Sequence, residues 1–276
     1  MTRMLGYFAN QTDRLRCALT LDGPALAFGG GGRIDGWGLG SYQGGELLLR
    51  KRPSEQREAV QLADLARDLR TGCVVAHARV ATVGSRSLDN THPFRHRAWL
   101  FAHTGTLPRF AEARTALVEK VPEHLARGIR GDTDSEVLFH LFLAAVYRRG
   151  HLDDPDFDRA GITEALVEAV DVVDATCGPG ASLNLVVTHG HAMVALQRGA
   201  PMSWLLRRGI RDCTACRKAP DSPGRDARRV DHESLRYVML AGDAAVEAPG
   251  WQPVHDTPRG SVVAVDKHLD VRVTAL

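Results

Sequence analysis

Three short stretches of the chain combine residue types that chemistry can use. In VVAHARVATVGSRSLDNTHPF (74–94), Arg79 stands inside an apolar run beside His77. Burying an arginine is costly unless a carboxylate or phosphate pairs with it. An internal aspartate would meet that need as well as a ligand, and so would an exposed strand face. In FAHTGTL (101–107) an apolar run ends at Thr104–Gly105. A small residue there lets the backbone turn sharply and leave an N–H pointing outward, the kind of donor from which oxyanion holes are built. An ordinary strand-ending turn would look the same. In GDTDSEVLF (131–139), Thr133 and Glu136 have capping-box spacing, and Asp134 opposes the macrodipole in a first helical turn. A carboxylate at that point is also suited to an ammonium group. In chain order the three stretches offer a carboxylate clamp, an oxyanion donor and an ammonium clamp, the fittings of a site for an α-amino acid.

Strands and helices must position these groups. The first third holds short apolar stretches, MLGYF (4–8), LRCALT (15–20), GWGLGSY (36–42) and ELLLRKR (46–52), with glycine-rich punctuation such as GGGGR (29–33). That is strand-and-turn chemistry. Segment 57–70 has apolar residues in a helical rhythm, whereas CVVAHARVA (73–81) and AWLFAHTG (98–105) read as buried strands. The clearest helix spans 133–149, with Val137, Leu138, Leu141, Phe142 and Ala145 on one face, and a second spans 161–175. Strands follow at 182–190, 191–199, 236–242 and 260–276. RDCTACRKAPDSPGRDARR (211–229) is charged, proline-rich and aperiodic, a loop excursion within one domain of residues 1–276. Strands outnumber helices and two helices sit together mid-chain, which favours an α+β layered fold over strict alternation.

Bulk properties exclude several classes. Of 276 residues, 44% are hydrophobic and 25% charged, an ordinary globular composition. With 35 basic and 33 acidic residues the net charge is +2, so no global field points to nucleic acid or a membrane. No apolar run reaches the about 18 to 20 residues of a membrane span. No charged-then-apolar leader opens the chain, which is expected to begin at Met1 or, after its removal, at Thr2. Five cysteines without a tight framework suit a reducing compartment, so a cytoplasmic setting is expected. Cys213 and Cys216 in CTAC have metal spacing, but a structural zinc needs four ligands and no second CxxC or HxxxH follows. The pair is expected to be loop thiols, with no metal and no cofactor. His189 and His191, in THGH, fit a hairpin turn.

In their order and spacing, DGWGLGSY (35–42), AHARVATVG (76–84), NTHPF (90–94), FAHTGTL (101–107) and GDTDSEV (131–137) resemble the class II glutamine amidotransferases. These are N-terminal-nucleophile hydrolases, and the likeness is to the compact stand-alone kind that includes the amidohydrolase of ergothioneine biosynthesis. A weaker tail resemblance lies at 249–266. The resemblance implies a four-layer αββα sandwich, two antiparallel sheets stacked between helices. It further implies that Arg79, assisted by Thr82, holds the substrate α-carboxylate, that Asp134 holds the α-ammonium, and that Gly105 offers its N–H to the oxyanion.

Two positions depart from the family pattern. The family's nucleophilic cysteine at position 2 is Thr2 here, and its oxyanion asparagine is Thr104. One reading is an amide-bond hydrolase acting on glutamine or a γ-glutamyl amide, with Thr2 as nucleophile and its own α-amine as base. Ammonia from glutamine would then pass to a separate biosynthetic partner. The other reading is a binding module that keeps the substrate clamps without catalysis, as a regulatory or scaffold subunit. Both take a small-molecule ligand and neither involves nucleic acid or a membrane.

Overall fold

Successive residues of a strand face opposite ways, and strand β1 (Met4–Ala9) uses both faces. Met4 and Phe8 enter one apolar core, Leu5 and Tyr7 another. The computed structural model describes residues 3–26, 28, 34–53, 62, 66–80, 84–218 and 228–276. β1 lies inside a sheet with β2 (Gly36–Gln43), β3 (Glu46–Pro53), β4 (Cys73–Arg79), β9 (Met202–Ile210), β10 (His232–Gly242) and β11 (Trp251–Pro253). Its order is β11-β9-β10-β1-β4-β2-β3. A second sheet joins β5 (Phe94–His96), β6 (Trp99–Thr106), β7 (Ser182–Thr188), β8 (Met193–Gln197), β12 (Ser261–Val265) and β13 (Val271–Ala275) in the order β13-β12-β8-β7-β6-β5. Every neighbouring pair is antiparallel.

Three cores follow from the alternation. Met4, Phe8, Val75 and Leu240 of the first sheet meet Leu100, Ala102, Val186 and Met193 of the second in the core between the sheets. The outer face of the second sheet, with Phe101, Leu185 and Val187, packs on α4 (Asp134–Arg148) and α5 (Arg159–Cys177) through Leu138, Phe142, Leu166 and Val170. The outer face of the first sheet, with Leu5, Tyr7 and Val74, packs on Leu15, Ala18 and Leu19 of α1 (Leu15–Leu21). The layers are those of an αββα sandwich, as expected. Gly38 sets the spacing at one point, since a Cβ there would fall 2.0 Å from the His92 carbonyl oxygen. Only glycine lets the segment carrying His92 lie that close to β2.

Most elements fall where the sequence places them. LRCALT (15–20) does not: it is a helix, α1, because Leu15, Ala18 and Leu19 form a buried stripe at helical spacing against the first sheet. β9 was not anticipated, nor were α2 (Phe110–Val118) and the single turn α3 (Glu123–Ala126). The expected helix at 57–70 lies largely outside the described residues.

Candidate functional site

Arg79 is the last residue of β4, Thr104 and Gly105 lie at the end of β6, and Asp134 opens α4. The fold brings these ends together, and all four residues line one cavity of about 290 Å³. Thr2 and Thr82 lie outside the described residues, but Arg3, next in the chain after Thr2, lines the same cavity. A larger cavity of about 800 Å³ is lined by other residues, among them Tyr42, Arg95 and His191, and contains none of the expected site residues.

Strand parity sets which side chains meet. Ala76 and Ala78 face the outer core, so His77 and Arg79 face the other way. Arg79 is only 4% exposed. Its guanidinium donates to the carbonyls of Ser85 (3.0 Å) and Gly84 (3.2 Å), and Asp35 and Asp132 act on it electrostatically. The carboxylate partners proposed for a buried arginine are therefore partly internal, and Arg79 also holds the 84–85 backbone in place.

Asp134 is 3% exposed, with its carboxylate organised by backbone donors. Leu107 N–H donates to Oδ2 at 3.0 Å and Ser135 N–H to Oδ1 at 2.8 Å. The bond to Leu107 ties the helix start to the end of β6, which carries Gly105. Thr133 caps α4 by accepting from Glu136 N–H at 3.3 Å. The capping box is half realised, because the Glu136 carboxylate instead accepts from Arg130 N–H (3.0 Å) and Gly131 N–H (2.7 Å).

Gly105 has a φ of +151°, and a Cβ on it would meet the Ser182 carbonyl oxygen at 1.8 Å. Backbone conformation and contact each require glycine here. The Thr104 hydroxyl lies 3.4 Å from His77 Nε2 and also acts on the Asp243 carboxyl.

The residues flanking these groups include three buried histidines. Burial, reinforced by the charges of His103, Arg79 and Arg3, pushes the His77 pKa down to about 3. His92, whose ring lies 4.3 Å from that of His77 and tilted 40° to it, is held well below its ordinary value by burial and by His77. His103 is lowered by burial against the opposing pull of Asp134. Its Nε2 lies 3.3 Å from the Ser182 carbonyl oxygen and its Nδ1 lies 2.9 Å from the Ser135 hydroxyl, which also donates to Asp134 Oδ1 at 3.3 Å. Asp243 is raised by burial, with Thr104, Arg3 and Asn184 opposing. The cavity floor is thus neutral imidazole, with cationic Arg79 and Arg3 and anionic Asp134 at its walls.

The sequence reading passed over His92, His103, Ser135, Arg3 and Asp243 as site residues. His77 and His103 were within reach: each stands two residues before a site residue, Arg79 and Gly105, hence on the same strand face. Asp243 follows β10 at a φ of +63° and had no such signal.

The model of the family "Glutamine amidotransferases class-II" matches residues 1–215. The chain belongs to the class-II glutamine amidotransferases. Among its relatives, DUG3 of Saccharomyces cerevisiae is 29% identical over 48% of this chain and 41% of its own length. The gamma-glutamyl-hercynylcysteine sulfoxide hydrolase of Mycolicibacterium smegmatis is 26% identical over 86% of this chain and 80% of that protein. The chain spans about half the length or less of several of the curated relatives it matches, between 37% and 56%. Among solved structures, a glutamine aminotransferase class-II domain protein from Silicibacter pomeroyi superposes with a TM-score of 0.59 at 18% identity, covering 99% of this chain and 98% of that one. This likeness speaks for the fold. Among the described residues, no helix is long and apolar enough to cross a membrane.

Proposed function

We propose that this amidotransferase hydrolyses the side-chain amide of glutamine or of a γ-glutamyl compound. The observation that carries this reading is the convergence of Arg79, Thr104, Gly105 and Asp134, from three separate elements, on one cavity. Arg79 takes the substrate α-carboxylate, with Thr82 assisting. Asp134 takes the α-ammonium: two backbone N–H groups and the Ser135 hydroxyl use three of the about four acceptor positions of a carboxylate, leaving one. Thr2, once Met1 is removed, is the nucleophile. Its Oγ forms a bond to the amide carbon while its α-amine accepts the hydroxyl proton. The oxyanion receives the Gly105 N–H and the Thr104 hydroxyl. The proton then passes to the leaving nitrogen as the C–N bond breaks, and water cleaves the resulting ester to release the glutamyl product. Arg3, beside Thr2 in the chain and on the cavity wall, supports placing that step here.

In this reading residues 1–276 act as one unit, since β10, β12 and β13, beyond the family match, complete both sheets. The setting is cytoplasmic. A γ-glutamyl amide, the class named for the mycobacterial relative, needs no further protein; free glutamine would need a partner that consumes ammonia.

One observation favours a second reading, a binding module without catalysis. The Thr104 hydroxyl is already shared with His77 and Asp243, and position 2 lacks the family's thiol. A thermal-shift assay with glutamine and γ-glutamyl amides, run beside turnover and intact mass, separates the readings. The hydrolase is expected to lack Met1, to turn over a γ-glutamyl amide, and to lose turnover but keep the ligand shift in Thr2→Ala. Unchanged turnover in Thr2→Ala rejects Thr2 as nucleophile. A ligand shift without turnover in Met1-processed protein establishes the binding module.

A further inference from the structure

Away from the cavity, Cys17 of α1, Cys213 and Cys216 of the loop after β9, and His232 at the start of β10 converge. One ligand atom from each lies within 4.8 Å of all the others. The sequence spacing of CTAC promised only two ligands. The other two come from 199 residues before Cys216 and from the strand after the loop. We propose that these four side chains form a structural site for one Zn²⁺ ion.

The distances suit a mononuclear tetrahedral centre. Cys17 Sγ lies 3.4 Å from Cys216 Sγ and 3.6 Å from His232 Nε2. Around a zinc ion with Zn–S of about 2.3 Å and Zn–N of about 2.0 Å, the edges of the tetrahedron are about 3.5 to 3.8 Å. At 3.4 Å the two sulfurs are also well beyond the about 2.05 Å of a disulfide. Three thiolates and an imidazole are a preferred zinc donor set, and four protein ligands leave no open position, which marks a structural and not a catalytic centre.

The backbone holds the ligands in place without the ion. Cys213 N–H donates to the Val230 carbonyl at 2.8 Å, and Cys216 N–H closes the turn onto the Cys213 carbonyl at 3.1 Å. His232 is in register with Ile210 across the β9–β10 pair. Although it lies in a loop, Cys213 is only 3% exposed. The remaining cysteines show what isolated burial looks like: Cys73 lies in the core between the sheets and Cys177 in the helical core, each apart from the other thiols. None of the four ligands lines the candidate active site. Binding would release the three thiol protons and leave a net charge of −1. The ion would fasten α1, which covers the outer face of the first sheet, to the β9–β10 hairpin.

The test uses the full chain purified without chelator. Elemental analysis is expected to find one zinc per chain. Replacing it with Co²⁺ should give a thiolate-to-cobalt charge-transfer band and the intense visible bands of a tetrahedral site. Stripping the metal should lower Tm by about 10 °C or more. Cys213→Ser combined with Cys216→Ser should reduce bound zinc at least tenfold, whereas Cys177→Ser should keep it. If the double variant fails to fold, the wild-type zinc count and cobalt spectrum decide alone. Reduced, folded protein that binds neither zinc nor cobalt overturns the proposal, as does a Cys17–Cys216 disulfide in metal-free protein alkylated at the moment of lysis.

Discussion

Gly105 and Arg79 show how far single residues are committed to this site. A side chain at 105 would have to overcome both a φ of +151° and a 1.8 Å approach to the Ser182 carbonyl. Strain at such a φ and overpacking each cost about 1 to 3 kcal/mol. Gly105→Ala is therefore expected to lose about 3 kcal/mol or more in urea unfolding, together with the ligand shift; a loss within 0.5 kcal/mol, the usual scatter of surface substitutions, would contradict the backbone assignment. Arg79 requires a subtler substitution, because it also fixes the carbonyls of Gly84 and Ser85, so Arg79→Ala lowers Tm on its own. Arg79→Lys keeps the charge but loses the planar fork that matches a carboxylate. It is expected to weaken glutamine or γ-glutamyl binding about tenfold or more, about 1.4 kcal/mol, measured by calorimetry. Undiminished affinity would place the α-carboxylate elsewhere.

At the level of elements, the start of α4 does two jobs that separate substitutions can tell apart. Thr133 caps the helix through Glu136 N–H, and Asp134 anchors Leu107 N–H and faces the cavity. Thr133→Ala is expected to cost about 1 kcal/mol and, although Thr133 also lines the cavity, to weaken the ligand far less than loss of the Asp134 charge. Asp134→Asn keeps an acceptor for Leu107 but removes the charge, so it should abolish the ligand shift at smaller cost in Tm. If Thr133→Ala removes binding as well, the two jobs are not separable. The T-x-x-E spacing made this cap legible, and the even spacing of His77 with Arg79 made their shared face legible, since both are local periodicities. α1 was not legible: seven residues give barely two turns, and its stripe of Leu15, Ala18 and Leu19 has meaning only against a sheet built from distant strands. The cysteine cluster escaped for the same reason, because CTAC spacing says nothing of Cys17 or His232 until β9 and β10 pair.

Across the whole molecule, three of the buried histidines gather around the cavity. His77 stands on β4 of the first sheet, His103 on β6 of the second, and His92 against both His77 and Phe94. All three have folded-state pKa values below their ordinary value, His77 at about 3. An unfolded chain titrates these groups near 6.5, so below that pH it binds more protons than the folded one. Stability is then complete above pH 6.5 and is lost as pH falls toward the folded pKa, with a slope of at most about 1.4 kcal/mol per pH unit for each histidine. Asp243 works in the opposite sense: burial raises its pKa, so its contribution is present at low pH and is lost as pH rises through its folded pKa. Burial lowers His96, His140 and His189 as well, so against one raised carboxyl the histidines dominate. Unfolding free energy measured from pH 7 to pH 4.5 is expected to fall steeply, and His77→Asn should flatten the slope by up to one histidine's share even if it lowers stability at pH 7. An unchanged slope in that variant would mean that His77 is protonated in the folded protein, and that the cavity floor beside Thr104 carries charge.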